Sequence, residues 1–300
     1  MSRNSRGDDR ISGRSDRSHP HDLRSVETVP QRGSESFATR GLNLPQTADR
    51  EPLEINGRVV TLNERESRLL ATVGAFRLIP SQDLPDLDRD SRTDPLRHLK
   101  AQGLLSEQSF TDRAGVRHVL SLTEDGKALL DSHREPSPGK GQTFYEGVAK
   151  PREVSHDSRL YRVFLEEAAR VEREGSRVCR VELDYELKRD YQRYLNRPDR
   201  GADATPHDDR FTFAEANGLH VVNGQIVFPD LRIEYETADG RTEYRDVELV
   251  TEHYSRSQLA AKAAAGFVQY GTGSAAGRSG RTSTSRSGAP FDPRHIERLL

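Results

Sequence analysis

Leu231, Ile233 and Tyr235 alternate with Asp230, Arg232, Glu234 and Glu236, and after Asp239-Gly240 the returning run TEYRDVELV alternates again, Val247 and Leu249 against Asp246 and Glu248. Side chains of a strand change face at every residue, so a slip of one position would turn the whole apolar set to water. The Asp-Gly pair suits a tight hairpin turn. The stretch therefore demands a sheet with one face buried, and it carries Asp230 and Glu248 to the outer end of two paired strands on the polar face. Two carboxylates that approach one point repel unless a cation or proton lies between them. Mg²⁺ is held by one or two carboxylates with water and phosphate oxygens, so this pair is the smallest set able to hold Mg²⁺ or Mn²⁺. The plain alternative is an exposed acidic hairpin.

Such a hairpin needs partners, and composition says where they are. Of the 300 residues only 33% are hydrophobic and 31% are charged, so the core must be concentrated in a few segments. Residues 1–53 mix Arg, Ser, Asp, Gly and Pro with almost no apolar spacing and read as a disordered tail. A first block follows at 54–133, a Pro/Gly-containing linker at 134–153, and a second block at 154–270. Residues 271–300 read as a flexible Gly/Ser/Arg segment and a short C-terminal helix; Arg278, Arg281 and Arg286 make a connector there, or a cationic strand for phosphate. The net charge of −2 excludes a uniformly basic coat and leaves room for a local cationic face. Cys179 is the only cysteine, which excludes an intramolecular disulfide and fits a reducing cytosol. No apolar run approaches the roughly 20 residues that span a bilayer, and the N-terminus has no apolar signal core, so the expected location is the cytoplasm without membrane contact.

In the first block, Asn63 with Glu66 marks a helix start, and Leu69, Leu70, Val73 and Phe76 share one face. Leu84 and Leu87 supply a short second helix, and SRTDPLRHLKAQGLL supplies a third, with Leu96 and Leu99 inward and Gly103 at its end. Phe110, Val116, Leu120 and Leu122 flank a turn at 112–115, and Thr123 caps a last helix. This order, with LRHLKAQGLL entering the ribbon and LSLTEDGKALL leaving it, resembles a winged helix-turn-helix domain. The resemblance implies that the third helix enters the major groove and the wing touches the backbone. Arg92, Arg97 and Lys100 would then meet duplex DNA from the helix, and Arg113 and Arg117 from the wing. The competing reading is a protein-docking module with solvated arginines.

The second block opens with a helix whose apolar face holds Leu160, Tyr161, Phe164, Leu165, Ala168 and Val171, ended by Gly175. RVCRVEL reads as a strand with Cys179, Val181 and Leu183 inward; a tyrosine-rich helix, a further helix and a hairpin at Asn223-Gly224 follow. After the charged hairpin comes an alanine-dense helix with Leu259, Ala263, Phe267 and Tyr270 as its inner line and Lys262 as its single lysine. This order resembles the PD-(D/E)XK nuclease-like fold. With the first block, VSHDSRLYRVFLEEA, FPDLRIEYE and RDVELVTEHY are similar to the replication-relaxation family of plasmid and mobile-element proteins. The expected fold is thus α+β: an N-terminal winged helix-turn-helix, then a small mixed-sheet nuclease-like α/β domain, with disordered tails.

For the nuclease fold the resemblance implies that Asp230 and Glu248 bind a divalent metal and that a lysine orients the attacking water. The usual lysine position is Val250 here, and Lys262 is the one substitute that the next helix offers. A final strand after that helix is also missing from the pattern. Other constellations are weaker. His156-Asp157 and Glu252-His253 lack a spaced third ligand, Tyr185, Tyr191 and Tyr194 lack the histidine-bound metal of a nicking tyrosine, and no phosphate-binding loop or nucleophile elbow appears. The leading expectation is a DNA-binding accessory protein of a plasmid or mobile element, acting in replication, mobilisation or its regulation, with a non-cleaving nuclease-like domain. The alternatives are a metal-dependent endonuclease or nickase using Asp230, Glu248 and Lys262, and a scaffold that binds a protein partner. The distance between Lys262 and the carboxylates separates the first two.

Overall fold

Asn56 and Gly57 both take left-handed backbone, φ 50° and 74°, as a tight hairpin turn requires, and join β1 (Glu51–Ile55) to β2 (Arg58–Leu62). The structure, a computed structural model, describes residues 36–84, 94–112, 115–137, 139–147, 154–201, 205–250 and 254–271. The hairpin leads into α1 (Glu64–Ala75), where Asn63 accepts from the Glu66 N–H at 2.9 Å and Glu66 Oε2 accepts from the Asn63 N–H at 3.1 Å. That capping box satisfies orphan N–H groups at the helix start. Glu66 is buried, and Arg50 matches its charge with Nη2 at 2.6 Å. The disordered tail expected for residues 1–53 is thereby corrected over 36–53. Ala38, Leu42 and Leu44 are buried, and Phe37 lies 4.9 Å from Phe164. Their apolar residues are too few to show a period, yet each fills a place in the core.

Next come β3 (Ile79–Pro80), α2 (Pro95–Ala101), β4 (Leu105–Asp112), β5 (Gly115–Leu122) and α3 (Glu124–Ser132). The strands form one antiparallel sheet in the order β3-β5-β4. The short helix expected around Leu84 and Leu87 falls largely on residues 85–93, outside the described residues.

The second block runs α4 (Val154–Arg173), β6 (Arg177–Leu183), α5 (Asp184–Leu195), α6 (Pro206–Ala216), then β7 (His220–Val222) and β8 (Gln225–Val227) as a hairpin. It closes with β9 (Leu231–Glu236), β10 (Thr242–Val250), α7 (Arg256–Ala264) and β11 (Val268–Gly271). Its sheet has the order β11-β10-β9-β6, with β11 parallel to β10 and the other pairs antiparallel. The α4 stripe of Leu160, Tyr161, Phe164, Ala168 and Val171 joins Val181, Leu183, Leu231, Ile233, Val247 and Leu249 in a single core that continues into the first block. Phe76, the residue that ends α1, sits 5.1 Å from Tyr161 and 4.9 Å from Phe164, so the two blocks share aromatic packing.

Three expectations are corrected here. A bulge between Val178 and Arg180 puts Val178 on the apolar face with Val181 and Leu183, and Cys179 is displaced from it. The helix expected to run to Tyr270 stops at Ala264, because Gly266 at φ 77° turns the chain; Phe267 then leads into β11, the strand thought missing. The stretch 134–153, read as a linker, holds buried Gln142, Phe144 and Tyr145. The Gln142 amide accepts from the Val181 N–H and donates to the Val181 carbonyl, both at 2.9 Å, filling hydrogen-bonding positions on the free edge of β6. The described residues are therefore mixed α+β, with several sheets and seven α-helices, none long and apolar enough to cross a membrane.

Candidate metal and nucleic-acid site

The polar face of the second sheet is buried rather than wet. Arg180, Glu182, Arg232 and Glu248 are all buried, and Arg180 and Glu182 also meet Gly141 and Lys140 from the stretch before β6. Arg180 bonds Glu182 and Glu186 of α5, and Arg232 donates to Asp246 and to the Asn217 and Gly218 carbonyls at the end of α6. The ladder pairs Asp246 with Arg232 and Val247 with Leu231, so the next step places Asp230 opposite Glu248. At that step two negative charges face each other. Glu248 is fully buried, and burial followed by the Asp230 charge pushes its carboxyl above the ordinary range, against the hydrogen bonds from Lys262 and Tyr254.

Four groups surround the pair. Lys262 of α7 donates to Glu248 Oε2 at 2.8 Å and to the Phe228 carbonyl at 2.6 Å. The Tyr254 hydroxyl donates to Glu248 Oε1 at 2.5 Å; burial, then that carboxylate, push its phenol well above the ordinary value. The Leu249 N–H donates to Asp230 Oδ2 at 2.8 Å, and His156 Nε2 lies 3.3 Å from the same oxygen. His156 Nδ1 is 3.3 Å from Asp157, which pairs with Arg77 at 3.3 Å. Burial opposes the charged imidazole, yet its bonds to Asp157 and Asp230 push it up to about 10. The centre thus carries its own two cations, one against each carboxylate.

The structure brings Asp230, Glu248 and Lys262 together. His156 and Tyr254 are partners that the sequence did not assign. His156-Asp157 was visible as a histidine beside an acid at a helix start, but nothing in the spacing ties it to Asp230; Tyr254 had no signal. Tyr191 and Tyr194 pack against Phe213 at 5.0 and 5.3 Å, a core role. Among the candidate DNA contacts, Arg97 is exposed on α2 and Lys100 pairs with Glu107 at 2.6 Å. Arg117 of β5 stands directly opposite Phe110. Arg92, Arg113 and the Glu252-His253 pair lie outside the described residues.

Among the described residues no group of three His, Cys, Asp or Glu side chains is arranged to hold a metal ion. The two carboxylates suit a hard divalent cation in donor type, and like charges in a buried setting favour one. Both Glu248 oxygens already accept protein hydrogen bonds, while Asp230 Oδ1 takes none among the described residues. No family model, curated protein or solved structure matches this chain.

Proposed function

We propose that this protein binds duplex DNA and cleaves a phosphodiester with a divalent metal held by Asp230 and Glu248, in the manner of a PD-(D/E)XK endonuclease or nickase. The reading rests on one observation: the Lys262 ammonium lies 2.8 Å from Glu248 Oε2, with Asp230 on the neighbouring strand. This replaces the lysine missing at Val250 and raises the cleaving alternative above the non-cleaving one. The strand order, with β11 parallel to β10 after α7, also supports a nuclease-like domain. The first block, α1, α2, a β-ribbon and α3, supports a winged helix, and with it a place in the replication-relaxation family as a plasmid or mobile-element protein acting in the cytoplasm.

Mg²⁺ or Mn²⁺, when bound, would polarise the phosphate and acidify a water. The chain supplies the rest. Asp230 is oriented by the Leu249 N–H and by His156, and Glu248 is fixed by Lys262. Two acceptors engage Lys262 among the described residues, leaving one N–H of its ammonium for a water or phosphate oxygen. Burial of Glu248 keeps bulk water from screening these charges.

Supercoiled plasmid incubated with the protein and Mn²⁺ tests this. Nicked or linear product is expected from the native chain, and Lys262→Ala should slow its formation by about a hundredfold or more. Cleavage that persists undiminished in both Lys262→Ala and Asp230→Asn would end the assignment; metal-independent DNA binding without cleavage would return the protein to an accessory role.

A further inference from the structure

Three arginines from two blocks converge beside the candidate centre. Val154, at the start of α4, packs with Leu78 and Val119, and Phe110 flanks that cluster. Arg117 lies two residues before Val119 on β5, so it shares the face turned to the start of α4. On α4, His156, Arg159 and Arg162 follow at three-residue steps, which are neighbours on one side of a helix and rise about 4.5 Å each. His156 touches Asp230 at 3.3 Å. Arg159 reaches the Gly271 carbonyl at 3.4 Å, and Gly271 pairs with Val250, two residues beyond Glu248. Arg162 is exposed and pairs with Asp83 at 2.5 Å. Burial, then the charges of Arg117 and Arg162, hold Arg159 below the ordinary guanidinium range, which marks the three as electrostatic neighbours.

We infer that Arg117, Arg159 and Arg162 form a phosphate lane that carries a DNA backbone from the β-ribbon of the first block to the carboxylates of the second. The planar guanidinium fork matches a phosphodiester, and cations repeated along one surface suit the successive phosphates of a DNA backbone. The lane ends where His156 meets Asp230, at the end of the sheet that carries the proposed cleavage centre. The direction from first block to second fits one duplex held by both. An acidic peptide would meet the same charges, but the centre at the end of the lane is built for phosphate. The inference rests on the DNA reading above and adds α4 as a second DNA-contacting element.

The test is fluorescence anisotropy of a labelled duplex with the full chain, in chelator so that no cleavage intervenes, over a series of salt concentrations. The proteins are the native chain, Arg159→Ala/Arg162→Ala, Arg159→Lys/Arg162→Lys and Arg97→Ala/Lys100→Ala. The arginine-to-alanine pair should weaken binding about tenfold or more and reduce the slope of log K against log salt by about two, since each lost phosphate contact removes about 0.9. The lysine pair should keep the native slope, because it keeps the charges. A native slope and affinity in the alanine pair, with binding lost in Arg97→Ala/Lys100→Ala, would remove the lane and leave the first-block reading standing. Equal loss of slope in the lysine and alanine pairs would show a structural role and also overturn it. Absence of binding by the native chain at low salt would remove both the lane and the DNA reading.

Discussion

Asp246 and Glu248 sit two residues apart on β10, on the same buried polar face of one sheet, yet they meet opposite fates. Across the ladder Asp246 faces Arg232, which grips it through Nε at 2.7 Å and Nη2 at 2.8 Å, while Tyr244 stacks 4.8 Å from the guanidinium. Arg232 gives two further N–H groups to the carbonyls that close α6. Glu248 instead faces Asp230, a like charge, and borrows its cation from a helix later in the chain. The first pair is complete within the sheet and holds the fold together. The second is kept together by outside groups, which is the arrangement expected of a site, because like charges directly opposite are unfavourable without a function to retain them.

The largest expected effect sharpens the first half of that contrast. Arg232→Met should destabilise the protein by about 3–5 kcal/mol, since it leaves the half-buried Asp246 without its counter-charge and frees the end of α6. Urea unfolding followed by circular dichroism measures this. A loss below about 1 kcal/mol would mean that the pair is no keystone and that the contrast with Glu248 is only formal.

A smaller effect concerns Glu248 and pH. The folded state holds the Glu248 carboxyl above its ordinary value of 4.5, so folding favours its protonation and the charged form weakens the fold at neutral pH. As pH falls through the raised value toward 4.5, the native chain should gain stability relative to Glu248→Gln. Stability curves of the two proteins in chelator check the sign. A difference that falls with acidification would show that the Lys262 ion pair outweighs both burial and Asp230.

Much of this contrast was legible beforehand. Alternation from Leu231 to Leu249 was readable, but the tight Asp239-Gly240 turn is corrected: the loop is Ala238 to Gly240, closed by the Thr237 N–H on the Arg241 carbonyl at 2.9 Å, and this extra residue sets Asp230 across from Glu248 where a two-residue turn would set it across from Leu249. The direction of Lys262 was not legible, because its alanine neighbours allow either side of α7 to face the sheet. Gly266 decides it by ending the helix early and sending Phe267 and β11 back alongside β10. His156 and Tyr254 were hidden for another reason: neither belongs to the periodic part of a strand, and each reaches its carboxylate through tertiary packing. The ordered residues 36–50 escaped notice because three well-spaced apolar side chains, Ala38, Leu42 and Leu44, leave no pattern. The bulge at Cys179 likewise breaks period without any glycine or proline to announce it.

The claim that Asp230 and Glu248 form a cation site is tested most directly by calorimetric titration of the full chain with Mn²⁺, beside Asp230→Asn, Glu248→Gln and Tyr254→Phe. The account predicts binding by the native chain and loss of it in both carboxylate variants. It also predicts about tenfold tighter binding in Tyr254→Phe, because that change frees Glu248 Oε1 from a hydrogen bond to a charged group. Native-like heat from Asp230→Asn and Glu248→Gln, or no heat from any of the four proteins, would contradict it.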